Sequence, residues 1–121
     1  MRRLALVALF VIAAPVLAGG PPHFEVRNTS DLVTLCATAP GDAQYTSAIA
    51  FCHGFGTGAY RYYEAATEAE DRFVCPSTPG PSRAEVLDEF LAWTKTHPEH
   101  MDKPAVNTLF RFLAERFPCK G

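Results

Sequence analysis

Cys52 followed directly by His53 is the closest that this sequence comes to a nucleophile paired with a general base. A cysteine hydrolase needs the base within hydrogen-bond reach of the sulfur. Neighbouring residues in a helix point about 100 degrees apart, so these two side chains would not face each other. A disulfide at Cys52 would also remove the nucleophile. The sequence therefore predicts no catalytic residue and no enzymatic activity.

The segment His97-Pro98-Glu99-His100 is the second place with residues that could do chemistry. Two imidazoles could bind a metal ion weakly, but a solvated turn containing a proline accounts for the same residues. The sequence has no C-x-x-C, C-x-x-C-H or H-E-x-x-H pattern. Residues 54–58, GFGTG, lack the lysine and the spacing of a phosphate-binding loop. We expect neither a metal nor a cofactor.

Residues 1–18 have the three parts of a secretory signal peptide. Arg2 and Arg3 give a positive start, residues 4–14 are an unbroken apolar run, and Val16-Leu17-Ala18 supplies the cleavage positions. The apolar run is shorter than the roughly 20 residues that span a bilayer. Cleavage after Ala18 would leave residues 19–121, which suffice for a single exported domain.

The charge balance excludes two classes of partner. The chain has 11 Lys and Arg against 13 Asp and Glu, a net charge of −2. Loss of Arg2 and Arg3 with the signal peptide would make the chain still more acidic. Nucleic acids and anionic membranes select basic patches, so neither is expected to bind the exported domain.

Four segments of the exported chain carry the apolar periodicity of helices. A short first helix follows Asn28-Thr29-Ser30, and a second runs from about Tyr45 to about Ala66. A third begins at Ser82, whose S-x-x-E sequence forms a capping box, and a fourth follows Asp102-Lys103-Pro104. The predicted buried stripe of the fourth comprises Val106, Leu109, Phe110, Leu113 and Phe117. No alternating pattern is long enough for a sheet, so the predicted fold is all-α, a compact four-helix domain with room for a short extra helix.

The second helix is predicted to be buried and to support the other helices. Its predicted stripe comprises Ala48, Cys52, Phe55, Ala59 and Tyr62. Gly54, Gly56 and Gly58 would each destabilise a helix by on the order of 1 kcal/mol relative to alanine. The expected compensation is close approach of another helix across the bare backbone.

Four cysteines in a small exported domain indicate two disulfides, of which three connectivities are possible. Cys36 ends the first helix and Cys52 lies early in the second, so a helical hairpin would bring these two sulfurs together. An antiparallel third and fourth helix would bring Cys75 close to Cys119. The predicted disulfides are therefore Cys36–Cys52 and Cys75–Cys119, which staple the domain.

The order of several short motifs resembles one protein family. D-L-V-x-L-C begins at Asp31, A-F-C-H-G-F-G-T-G-A spans residues 50–59, C-P stands at 75–76, T-H-P-E at 96–99, and R-F-P-C ends at Cys119. This order resembles the Rap/Tai-type immunity proteins. The resemblance implies an all-helical periplasmic domain, often a homodimer, that neutralises a peptidoglycan-cleaving amidase delivered by type VI secretion by covering its cleft.

Two polar connections, residues 64–81 and residues 97–103, are the candidate contact surfaces for such an amidase. Pro98 and Pro104 stiffen the second connection, so it would lose less entropy on binding. The predicted partner-binding residues are His97, Glu99, His100 and Asp102. The alternative function is a general periplasmic binding or stress module of chaperone type, with four histidines that titrate near pH 6 as its support. A structural role in an envelope complex also stays open.

Overall fold

The computed structural model describes residues 24–120, so the predicted signal peptide lies outside the described residues. Four α-helices make up the domain: α1 (Thr29–Cys36), α2 (Tyr45–Ala66), α3 (Arg83–Lys95) and α4 (Ala105–Arg116). Two short 3-10 turns, Ala69–Asp71 and Pro98–His100, lie in the connections. Between residues 24 and 120 there is no strand, only two isolated bridge pairs. The prediction of an all-α fold with four main helices is confirmed.

Capping boxes set the starts of α1 and α3. In α1 the Asp31 amide donates to the Asn28 side chain at 2.9 Å, and the Asn28 amide donates to the Asp31 carboxylate at 3.3 Å. In α3 the Glu85 amide donates to the Ser82 hydroxyl at 3.2 Å, and the Ser82 amide donates to the Glu85 carboxylate at 2.6 Å. Each box satisfies amides that have no partner inside the helix. Ser82 therefore caps the third helix as its sequence predicts.

α1 has only eight residues, yet it contacts each of the other three helices, as α3 also does, and its contacts are the more extensive. Its Leu32 and Cys36 are almost completely buried. The predicted stripe of α2 is confirmed at Ala48 and Cys52, which are buried, and at Phe55 and Ala59, which pack against the core, whereas Tyr62 is 76% exposed and its predicted burial is wrong. With 22 residues, α2 is much longer than the helices it packs against, and it is α1 rather than α2 that has the most extensive contacts with the other helices.

No helix approaches the three glycines of α2. A Cβ atom added at Gly54, Gly56 or Gly58 would meet no other atom within 4 Å. The predicted close approach of a second helix is therefore wrong. Contacts within residues 24–120 do not compensate the helical cost of these glycines.

The predicted buried stripe of α4 is confirmed at Leu109, Leu113 and Phe117, and Phe110 is partly buried against the core. The buried residues of this helix are Ala105, Thr108, Leu109, Phe112 and Leu113. Val106 is 44% exposed, so its predicted burial is wrong, and Phe112 was not predicted. A polar residue, Thr108, also occupies an interior position, where its hydroxyl lies 2.7 Å from the Thr29 hydroxyl.

Two disulfides join the helices in the connectivity expected from the helix order. Cys36–Cys52 ties the end of α1 to α2, with Cα atoms 5.5 Å apart. Cys75–Cys119 ties the segment before α3 to the segment after α4, with Cα atoms 4.9 Å apart. The Cys75 amide also donates to the Phe117 carbonyl at 2.7 Å. Within residues 24–120 no helix combines the length and the apolar character that a membrane span requires.

Candidate partner-binding site

The connection from α3 to α4 is a tight turn, which we call the 97–104 turn. α3 ends at Lys95, because His97 precedes a proline and is displaced from the helical region. Three successive backbone hydrogen bonds then fold the chain: His100 donates to His97, Met101 to Pro98, and Lys103 to His100, at 3.1 to 3.2 Å. The turn therefore has its own internal bonding and is not an open loop.

The N-terminus of α1 holds the 97–104 turn in place. The Thr29 amide donates to the Lys103 carbonyl at 2.9 Å, and the Ser30 amide donates to the Met101 carbonyl at 3.0 Å. The first amides of a helix lack acceptors within the helix, so these hydrogen bonds satisfy the amides of α1 and the carbonyls of the turn together. The completely buried Thr29 hydroxyl adds a hydrogen bond to the Lys103 carbonyl at 3.1 Å. The backbone of the turn is consequently fixed against the core.

The two histidines of the turn stack against Trp93. The His97 ring lies 3.9 Å from the Trp93 ring and the His100 ring 5.5 Å, both nearly parallel to it. The His97 Nδ1 atom is 2.8 Å from the Trp93 carbonyl, and only 18% of the His100 side chain is exposed. Glu115 accepts a hydrogen bond from the indole nitrogen at 2.8 Å. The side chains of His97 and His100 therefore pack on Trp93 and stabilise the turn.

The carboxylates of the turn point outward. The side chains of Glu99 and Asp102 are 60% and 77% exposed. The Lys103 ammonium lies 3.4 Å from the Asp102 carboxylate and is itself half exposed. All four predicted partner-binding residues thus lie in one turn. Among them, only Glu99 and Asp102 have side chains that are mostly exposed to solvent.

The groups that sequence patterns had connected with chemistry are engaged elsewhere. Cys52 is bonded to Cys36, and no cysteine between residues 24 and 120 is free. His97 Nδ1 is hydrogen-bonded to the Trp93 carbonyl. The described part of the chain contains no cluster of three or more His, Cys, Asp or Glu residues that could hold a metal ion. The chemistry that this arrangement offers is hydrogen bonding and ion pairing by exposed carboxylates on a fixed backbone.

The second predicted contact surface, residues 64–81, is also anchored. The Arg72 guanidinium donates to the carbonyls of Glu64 at 3.0 Å and Thr67 at 3.4 Å, so it closes the C-terminal end of α2. Glu68, Glu70 and Asp71 remain exposed beyond this closure. This connection therefore presents acidic side chains as well.

The model of the Rap1a immunity proteins matches residues 28–119, which contain all four helices, both disulfides and the 97–104 turn. The chain belongs to the Rap1a immunity protein family. No curated protein and no solved structure matches the chain. Membership indicates a type VI immunity protein, and immunity proteins act by binding a toxin effector.

In this Rap1a-family chain, Trp93 supports the turn, a role that was not predicted from the sequence. His97 and His100 follow Trp93 by four and seven residues. That spacing places side chains on one helical face when the helix is extended by a turn, so it is the signal that could have predicted the stack.

Proposed function

We propose that this protein is a periplasmic immunity protein that binds a peptidoglycan-cleaving amidase effector of type VI secretion and occludes its cleft. The observation that carries the proposal is the match to the Rap1a immunity proteins over residues 28–119. Two disulfides suit an oxidising compartment such as the periplasm. A stable complex between the exported chain and a cognate peptidoglycan-cleaving amidase is the expected result.

The contact is assigned to the 97–104 turn. Hydrogen bonds from α1 already fix the backbone of the turn. Binding would therefore immobilise few additional rotatable bonds and would cost little conformational entropy. Glu99 and Asp102 would accept hydrogen bonds or pair with cations at the rim of the amidase cleft. His97 and His100 would act as positioning residues, because they hold the turn against Trp93.

The test is the affinity of the cognate amidase for the double variant Glu99→Ala and Asp102→Ala. We expect the dissociation constant to rise at least about tenfold, the effect of losing a significant interface contact. Isothermal titration calorimetry measures this constant. Because both side chains are exposed, the helical circular dichroism of the variant should equal that of the unchanged protein.

The matched control is the double variant Glu70→Ala and Asp71→Ala on the other acidic connection. It removes the same charge and should leave the affinity unchanged. A loss confined to this control would move the contact to residues 64–81. If alanine at all four of His97, Glu99, His100 and Asp102 leaves the affinity unchanged, the assignment to the turn is wrong. Sedimentation of the complex distinguishes a one-to-one assembly from the two-to-two assembly of a homodimer.

A further inference from the structure

An apolar groove of about 360 Å³ runs between α2 and α3, at the opposite end of α3 from the 97–104 turn. Phe55 and Tyr60 of α2 form one wall, and Val86 and Leu87 of α3 form the other. Phe90 and Leu113 contribute to its floor. A volume of this size is in the range of small-molecule sites.

Apart from the phenol of Tyr60, the ionisable residues that line the groove are basic. They are His53, Arg61 and Arg83, and no carboxylate of residues 24–120 lines it, although the chain as a whole is acidic. Arg61 is paired with Glu64 at 2.6 Å. Arg83 forms no ion pair with any residue between 24 and 120. The groove thus combines apolar walls with one unneutralised cation at the start of α3.

Gly56 lines the same groove. A glycine in a helix interior is less favourable than alanine, and here no neighbouring atom requires it, because an added Cβ atom would meet nothing within 4 Å. Its bare backbone keeps the groove wide. A larger residue at this position would occupy the open space.

The apolar walls formed by Phe55, Val86 and Leu87 offer no partner for the main chain of a peptide. α2 and α3 use their own backbone groups for helical hydrogen bonds, and a peptide in the groove would leave its amides unpaired against apolar side chains. An alkyl chain has no polar atom to satisfy. The surface therefore favours an aliphatic tail over a peptide segment.

We propose that this groove binds a long-chain carboxylate, the chemistry of a free fatty acid. The alkyl tail lies against the apolar walls beside Gly56, and the carboxylate pairs with the Arg83 guanidinium, a geometry in which arginine can donate two hydrogen bonds. This binding is independent of an amidase and uses residues outside the 97–104 turn.

Calorimetry of the full exported chain with dodecanoate, below the concentration at which it forms micelles, tests the proposal. We expect saturable one-to-one binding, and binding of the dodecyltrimethylammonium cation weaker by at least about tenfold. Equal binding of the two amphiphiles, or no saturable binding of dodecanoate, would overturn the proposal. So would binding of an apolar peptide with acidic residues in the absence of any dodecanoate binding.

A pair of leucine substitutions locates the site. Gly56→Leu should weaken dodecanoate binding at least about tenfold, and Gly58→Leu, on the exposed side of the same helix, should leave it unchanged. Equal affinity of the two variants would contradict the assignment. Circular dichroism checks that both variants fold.

A second pair keeps the test valid if Gly56→Leu does not fold. Arg83→Gln should weaken dodecanoate binding about tenfold but leave binding of uncharged dodecanol unchanged, and Arg111→Gln on α4, outside the groove, should alter neither. Equal loss for both ligands with Arg83→Gln would overturn the role of its charge. No amidase is present in these measurements, so their outcome is separate from that of the immunity function.

Discussion

Gly54 lies inside α2 with open space where a side chain would be. Alanine there adds no clash and lowers the conformational entropy of the unfolded chain, so Gly54→Ala should raise the free energy of unfolding by about 1 kcal/mol. Equilibrium unfolding in urea measures the change.

The control is Gly80→Ala in the loop before α3. A Cβ atom at Gly80 would lie 3.0 Å from the Ser77 carbonyl oxygen, a backbone atom that cannot move freely. This substitution should therefore give no increase in stability. If both variants raised the free energy of unfolding equally, the space around the added methyl group would not be what decides the change in stability.

Individual residues could be predicted from the sequence where their chemistry alone decides the outcome. The cysteines of a small exported domain pair, and a serine three residues before a glutamate caps a helix. The packing of His97 and His100 against Trp93 was not predicted, although their spacing of four and seven residues from Trp93 is a local signal for it. Of the predicted turn, Glu99 and Asp102 are the residues whose surface position needed no tertiary information.

An ion pair between α3 and α4 makes their association depend on pH. The Arg116 guanidinium donates to both oxygens of the Glu89 carboxylate, at 2.6 and 3.2 Å. This hydrogen bonding lowers the pKa of Glu89 below its ordinary value. A lowered folded-state pKa contributes stability above the unfolded pKa, and that contribution is lost as the pH falls through the folded pKa.

The expected result is that Glu89→Gln is less stable than the unchanged protein at neutral pH and that the difference shrinks as the pH falls through the lowered pKa of Glu89, until the carboxyl is protonated and both forms are uncharged. Thermal midpoints across this range measure it. Asp88→Asn, an exposed neighbour without an ion pair in the described chain, is the control and should show no comparable convergence. A stability difference for Glu89→Gln that persists at low pH would contradict this account.

The boundaries of the helices could be predicted from the sequence, whereas the helix with the most extensive contacts to the others could not. Pro40-Gly41 and the capping box at Ser82 interrupt the chain locally, so the limits of α2 and the start of α3 follow from nearby residues. The central position of α1 has no local signal, because an isolated eight-residue helix is intrinsically unstable and is held by its tertiary contacts. The burial of Thr108 in α4 could not be predicted for the same reason, because its hydrogen-bond partner, Thr29, lies 79 residues earlier in the sequence.

At the scale of the molecule, the two disulfides close loops with sequence separations of 16 and 44 residues. In the chain-entropy model such loops contribute about 3 and about 4 kcal/mol to stability. These values are comparable to the whole stability of a small domain. Reduction should therefore unfold or severely loosen the protein.

The measurement is the thermal midpoint with and without reductant. Cys75 is exposed and Cys36 and Cys52 are buried, so the Cys75–Cys119 bond should be reduced first, in a step that mass spectrometry after alkylation can resolve. The double variant Cys75→Ser and Cys119→Ser is the control, since it should show only the second step. A midpoint insensitive to reductant would contradict the stabilising role of both bonds.

The contact between α1 and residues 101–103 also determines when the protein can fold. Thr29 binds a carbonyl 74 positions later in the chain, and a ribosome or a secretion channel delivers the N-terminal side first. α1 therefore cannot complete its N-terminal hydrogen bonds until the C-terminal half has emerged. We therefore expect α1 to become stable late, and the chain to become resistant to proteases only when it is essentially complete.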